Sequence, residues 1–111
     1  MQKTDRIRLQ HMLEAAELAV QFCEGRTSGD LDSDPMLVLA LVKSVEIVGE
    51  AAAKIGKPTR DLIPNIPWQA IVDMRHRLVH AYYDINHTIL WLTIQEDLPP
   101  LIQQLQQALQ T

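Results

Sequence analysis

The run Ser33-Asp34-Pro35-Met36-Leu37-Val38-Leu39-Ala40-Leu41-Val42-Lys43-Ser44-Val45-Glu46-Ile47-Val48-Gly49-Glu50-Ala51-Ala52 decides the fold. Ser33 and Asp34 carry short oxygen-bearing side chains that accept from the first free N–H groups of a helix. Pro35 suits a first helical position, because the N–H it lacks would be unpaired there anyway. Leu41, Val45, Val48 and Ala52 then recur at helical spacing as far as Ile55, and Gly56 offers a stop. Working outward, residues 4–24 place Ile7, Met12, Leu13, Ala16, Ala19, Val20 and Cys23 three or four apart, which predicts a helix ending before Gly25. Residues 57–67 hold Pro58, Pro64 and Pro67 and read as a loop with one helical turn. A further helix is predicted from Trp68 to Ala81, and Asn86 reads as the cap of another through Ile89, Leu90, Trp91 and Ile94. Pro99 and Pro100 either kink that helix or open the next, which keeps Ile102, Leu105 and Leu109 on one stripe. Strand signals are nearly absent, so the expectation is an all-α, up-and-down bundle of four or five helices.

At 111 residues the chain is read as one domain over 1–111, 47% hydrophobic and 22% charged. Cys23 is the sole cysteine and reads as a small buried hydrophobe. The first ten residues carry Lys3, Asp5, Arg6 and Arg8 and lack the apolar core of a signal peptide. No run approaches the roughly 18 apolar residues of a membrane span. Together these predict a cytoplasmic protein without membrane contact. The net charge of −4 argues against a general nucleic-acid binder. Its distribution is uneven: residues 54–80 carry Lys54, Lys57, Arg60, Arg75 and Arg77 against Asp61 and Asp73, a local +3 on a body of −7. That pattern suits an anionic ligand at one place.

Chemistry-bearing residues concentrate in Met74-Arg75-His76-Arg77-Leu78-Val79-His80-Ala81-Tyr82-Tyr83-Asp84. In one continuous helix Asp73, Arg77, His80 and Asp84 fall within about 60° of one another. Arg75 and His80 lie about 140° apart and about 7.5 Å along the axis, so they do not meet. They converge if the helix ends near His80, or if two copies bring two such segments together. Three readings stay open on the residues alone. Arg77 pairs with Asp73 and Asp84 on a solvated face, which contributes about 0–1 kcal/mol. His76, His80 and Asp84, four apart, ligate a metal, against which stand two neighbouring arginines and the lack of a fourth ligand. Or the segment is an active site.

The segment resembles the R-x-x-x-x-H-x-Y motif of HepT-type toxins of the HEPN superfamily, with Arg75, His80 and Tyr82 in the motif positions. The resemblance extends over nearly the whole chain. Val45-Glu46-Ile47-Val48-Gly49-Glu50-Ala51-Ala52 resembles the family's Gly-Glu-Ala helix, Ile63-Pro64 through Pro67-Trp68 the approach to the motif, and Leu90-Trp91 through Asp97-Leu98-Pro99 the region after it. His76 departs from the asparagine common after the motif arginine. The resemblance implies a HEPN-like bundle and a metal-independent endoribonuclease without cofactor, acting on RNA at a homodimer cleft within a type VII toxin–antitoxin pair. His80 would then be general base or acid, since imidazole titrates near neutral pH. Arg75 would hold the scissile phosphate through planar, bidentate donors. Tyr82 would be the position at which a cognate MNT-type nucleotidyltransferase antitoxin attaches AMP, adding charge and bulk beside the catalytic pair. His76, Arg77 and Glu50 are candidate supporting residues, with Glu50 able to orient Arg75 or Arg77. The rival functions are a non-catalytic nucleotide-binding or substrate-presenting partner of a nucleotidyltransferase, and a purely structural dimerising bundle.

Overall fold

The computed structural model describes residues 1–81 and 84–110, and of Val79, His80 and Ala81 it describes the backbone alone. Helix α1 (Lys3–Phe22) turns Leu9, Met12, Ala16 and Ala19 inward, and its alanines let the next long helix approach closely. It ends ahead of Gly25, whose φ of 71° requires a residue without a side chain. Burial raises the Cys23 thiol above its ordinary range. Arg26 then gathers the turn: its guanidinium reaches Asp30 at 3.3 Å, in α2 (Asp30–Ser33), and Asp34 at 2.8 Å. Asp34 also accepts from Leu37 N–H at 3.2 Å, which makes it the cap of α3 (Pro35–Ala53), as its sequence position predicts.

The far end of α3 is closed differently from expectation. Gly56 has a φ of −71° and precedes the short helix α4 (Lys57–Leu62) instead of terminating α3. The last carbonyls of α3 are taken by Arg60, which donates to Ile55 O at 3.0 Å and Ala52 O at 2.9 Å. Arg60 also lies 5.5 Å over the Trp68 ring, and Trp68 Nε1 donates to Ile63 O at 3.1 Å. Trp68 is therefore part of the core and the first residue of α5 (Trp68–Leu78).

Helix α5 stops at Leu78, three residues short of the predicted Ala81. Residues Val79–Ala81 form β1, which pairs antiparallel with β2 (Asp84–Ile85) through Val79 opposite Ile85 and Ala81 opposite Asp84. Asn86 N–H closes the excursion on Leu78 O at 2.9 Å. This small hairpin is the one departure from helix in an all-α bundle, among the described residues. Asn86 then caps α6 (His87–Leu92), accepting from Ile89 N–H at 3.0 Å. A wide π turn over Thr93–Asp97 leads into α7 (Leu98–Leu109), whose first turn holds Pro99 and Pro100. The prolines thus open a helix instead of kinking one.

The four long helices α1, α3, α5 and α7 form the bundle, with α3 between α1 and α5, and α7 on α1. Arg8 donates to Lys54 O at 2.9 Å and Arg6 to Leu109 O, so the start of α1 meets the ends of α3 and α7. The fully buried side chains include Leu9, Met12, Leu41, Val45, Val48, Leu90, Ile94, Leu98 and Leu105. Each such side chain contributes about 1.5–3 kcal/mol on leaving water. Buried Asp5 accepts from Thr59 Oγ1 at 2.6 Å, which answers the carboxylate's need for a donor.

Gly49 lies where α3 and α5 approach closely enough to admit only a small residue. A Cβ there would stand 3.4 Å from Ile71 O and 3.6 Å from Val72 O, which is ordinary contact for one carbon and leaves nothing for a second. Gly49→Ala is expected to be nearly neutral, while Gly49→Leu should force the helices apart and cost about 1–3 kcal/mol. Urea denaturation of both variants reads the difference directly.

The Arg26 cluster predicts a pH signature. The Arg26 hydrogen bond and the Leu37 N–H hold Asp34 below the usual carboxylate range, and Thr27 N–H and Arg26 do the same for Asp30. A carboxyl lowered in the folded state stabilises above its unfolded value of about 3.9 and loses that contribution as pH falls through its folded value. The stability gap between wild type and Arg26→Met should be present at neutral pH and close below about pH 4, as measured by urea midpoints across pH.

Candidate active site

Helix α5 presents its motif residues because its other face is anchored. Trp68, Ile71, Met74 and Leu78 are buried, which turns Arg75, His76 and Arg77 out to solvent in the last turn. Three basic side chains there also suit the partial negative charge at a helix C-terminus. His80 follows in β1, beyond the end of the helix. The predicted continuous helix, with its 140° separation of Arg75 from His80, is therefore not formed. Of the two ways in which the pair could converge, the ending of the helix near His80 is present in the backbone. The same break removes the regular four-residue spacing on which a His76–His80–Asp84 metal face would depend, since Asp84 lies in β2. Among the described residues, no group of three His, Cys, Asp or Glu is placed to hold a metal ion. Tyr82 lies outside the described residues, as does the side chain of His80.

The two arginines serve different grooves. Arg75 and His76 line a shallow groove of about 170 Å³ between α3 and α5, whose other wall carries Glu46, Gly49 and Glu50. Glu50 and Arg75 share that groove, but among the described residues no ion pair joins Glu50 to Arg75 or Arg77. Arg77 points to the opposite side of α5, where its Nη2 stands 3.8 Å from Asp97 Oδ2 in the π turn. Both groups are half exposed, so the pair contributes about 0–1 kcal/mol. The expected partner Asp73 is instead held by Gln69 Nε2 at 2.9 Å. Nothing in the sequence pattern singles out Asp97, which reaches Arg77 only because the wide turn delivers it there.

The locally basic middle of the chain does not form one patch. Arg60 is engaged on the end of α3, Lys57 pairs with Asp61 at 2.7 Å, and Lys54 lines a separate groove between α1 and α3. What is left facing solvent beside the hairpin is Arg75 with His76. His11 sits in the groove with Lys54, and His87 Nδ1 lies 2.8 Å from Asp32 Oδ1, tying the start of α6 to α2. Neither joins the motif. No described helix is long and apolar enough to cross a membrane.

A helical bundle with a histidine one short strand beyond an exposed arginine can be compared with known proteins. The family model described as "Ribonuclease HepT-like" matches residues 12–108, from the middle of α1 to the end of α7. A protein of Caldanaerobacter subterraneus subsp. tengcongensis named as a candidate RNase is 37% identical over 108 residues, covering 97% of this chain and 96% of its own. One of Thermococcus cleftensis, named a probable ribonuclease HepT, is 34% identical over 101 residues, covering 91% and 92%. A third, a candidate RNase of Methanocaldococcus jannaschii, is 31% identical over 93 residues, covering 84% and 85%. No solved structure matches at a significant level. The match thus takes in the bundle, the Gly49 packing point and the whole segment from Arg75 to Tyr82, and the chain belongs to the HepT-like ribonuclease family.

Proposed function

We propose that the protein is a metal-independent endoribonuclease toxin in which Arg75 and His80 cleave RNA at a cleft shared by two copies. The observation that carries this reading is the end of α5 at Leu78. It takes His80 out of the helical register that would place it about 140° around the axis from Arg75. The ribonuclease names borne by relatives of matching length support the RNA-cleaving part of it.

The chemistry follows from RNA itself. Deprotonation of the ribose 2′-hydroxyl lets that oxygen attack the adjacent phosphorus, and the 5′-oxygen of the next nucleotide leaves with a proton. The products are a cyclic 2′,3′-phosphate and a 5′-hydroxyl. Arg75 donates to the non-bridging oxygens, where charge builds in the pentavalent state. One His80 takes the proton, and in a shared cleft the second His80 supplies the other. His76 flanks the strand on the groove side, Arg77 stays on the far side of α5 against Asp97, and Glu50 limits where the Arg75 guanidinium can swing. A cognate MNT-type nucleotidyltransferase antitoxin silences the site by transferring AMP to Tyr82, whose phosphate repels RNA from Arg75. The protein acts in the cytoplasm, where its RNA substrate is found.

RNA cleavage in excess EDTA tests the catalytic part. Wild type should cleave and leave cyclic phosphate ends, while His80→Ala should lose about 10²–10⁴-fold. Arg75→Ala should lose about 10²–10³-fold, as expected for removal of a donor to developing charge. No cleavage by protein whose Tyr82 is shown by mass spectrometry to be bare would favour the non-catalytic binding partner instead. With the cognate antitoxin and ATP, wild type should gain adenylyl mass and stop cleaving, whereas Tyr82→Phe should take up none and remain active.

A further inference from the structure

The groove that holds Arg75 has a second wall for which a phosphate has no use. Glu46 and Glu50 face Arg75 and His76 across it, and Gly49, Ala53 and Val72 make its aliphatic floor. A carboxylate repels a phosphate, and among the described residues neither glutamate forms an ion pair with Arg75 that would cancel its charge. What an RNA strand presents to this wall is then something other than its backbone.

The two glutamates differ in depth and in level. Glu46 is half-buried, and no described residue donates to it. Glu50 is exposed and also lines a separate groove with Arg8 and Lys54. Helix α5 starts beside the end of α3, where Arg60 spans both, and runs back along it. Gly49 packs against Ile71 and Val72, so Glu46 stands about level with Arg75, and Glu50 lies about 6 Å further along α3. Arg75 is exposed at that level. The groove is thus cationic at its rim and acidic further in.

A nucleotide has the matching polarity, with an anionic phosphate at one end and a flat base edged with N–H donors at the other. The groove, about 170 Å³ and floored without bulky side chains, has room for one base. The four bases are not equivalent before a carboxylate. Guanine presents N1–H and N2–H side by side, so both carboxylate oxygens accept. Adenine and cytosine set a ring-nitrogen lone pair beside their amino group, and uracil sets a carbonyl on each side of N3–H. Each of those three turns an acceptor towards a carboxylate oxygen. We infer that Glu46 reads the Watson–Crick edge of a guanine next to the scissile phosphate and so determines where the strand is cut. The base lies on the Gly49–Val72 floor with its phosphate on Arg75. Its two donors satisfy a half-buried carboxylate that the described chain leaves without one.

This inference rests on the RNA-cleaving reading and deepens it by naming the base, yet it has a readout that needs no cleavage. Fluorescein-labelled oligouridine with one internal guanosine, adenosine, cytidine or inosine is titrated into His80→Ala protein by anisotropy, and offered to wild type for cleavage. Guanosine should bind, and be cut at a flanking bond, about 10-fold or more better than adenosine or cytidine. Inosine keeps N1–H and lacks the amino group, so it should fall between them, a comparison that needs no variant at Glu46. Glu46→Gln brings one acceptor and one donor, the pattern that pairs with adenine. With an unchanged circular dichroism spectrum, it should lose the guanosine preference and favour adenosine. Glu50→Gln should keep the guanosine preference. A merely structural Glu46 would weaken all four oligonucleotides alike on substitution and reverse nothing, which overturns the inference. Equal use of guanosine and adenosine by wild type, no binding of any of the four, or a reversal produced by Glu50→Gln instead overturns it too. Guanosine-selective binding without cleavage by wild type leaves the base site standing and removes the catalytic reading. Cleavage that needs Arg75 and His80 but ignores guanosine does the reverse.

Discussion

Helices α3 and α5 come close at Gly49, where a hydrogen atom faces the Ile71 and Val72 carbonyl oxygens and no side chain larger than a methyl group would fit. Everything distinctive about the molecule hangs from that approach. It seats Ile71, Met74 and Leu78 in the core, and a helix so seated has no choice but to turn Arg75 and His76 outward into the groove beside Glu46 and Glu50. It also brings Trp68 under Arg60, so that the residue closing the end of α3 braces the start of α5. The two helices that form the site thereby pack closely at Gly49, with room for one carbon and no more, and are braced at the start of α5 by one guanidinium.

Arg75 and Arg77 illustrate how two like residues two positions apart come to differ. At about 100° per residue they lie on nearly opposite sides of α5. One looks across to α3 and has open solvent before it; the other looks across to the π turn and finds Asp97. Exposed pairs of the Arg77–Asp97 kind bring little stability. The partner nonetheless offsets the charge of Arg77 and leaves Arg75 as the cation on the groove side of the motif.

Much of this was legible in the residues. Asp34 with Pro35, Asn86 with Ile89, and the Ile102–Leu105–Leu109 stripe each announce a helix through chemistry that acts within one turn, and each helix is where that chemistry puts it. The motif segment was legible as a composition and, through its resemblance, as a family. The end of α5 was not, because residues 79–81 are compatible with helix and what stops it is a long-range bond, Asn86 N–H to Leu78 O, visible only once the chain has turned back. Gly56 misled for a related reason: a glycine after a helix suggests its stop, but Arg60, four residues on, does that work through its side chain. The basic middle, expected to suit an anionic ligand at one place, is divided instead, because charge counts carry no information about which bases are already engaged on carbonyls or carboxylates.

The π turn at Thr93–Asp97 has a further meaning for how this sequence can change. A turn of that kind holds one residue more than an α turn, in the manner of a single insertion absorbed inside a helix. Loss of one residue between Leu92 and Leu98 would close the turn to a regular helix and leave Leu98, Leu101 and Leu105 facing the core as before. The same loss inside α7 would rotate everything after it by about 100° and carry Leu105 off α1. Changes of length are thus tolerated by the core at this one turn and barred from the helix that follows it. What the turn alone supplies is the bulge that carries Asp97 to Arg77, so a shortened chain would keep its bundle and release that pair.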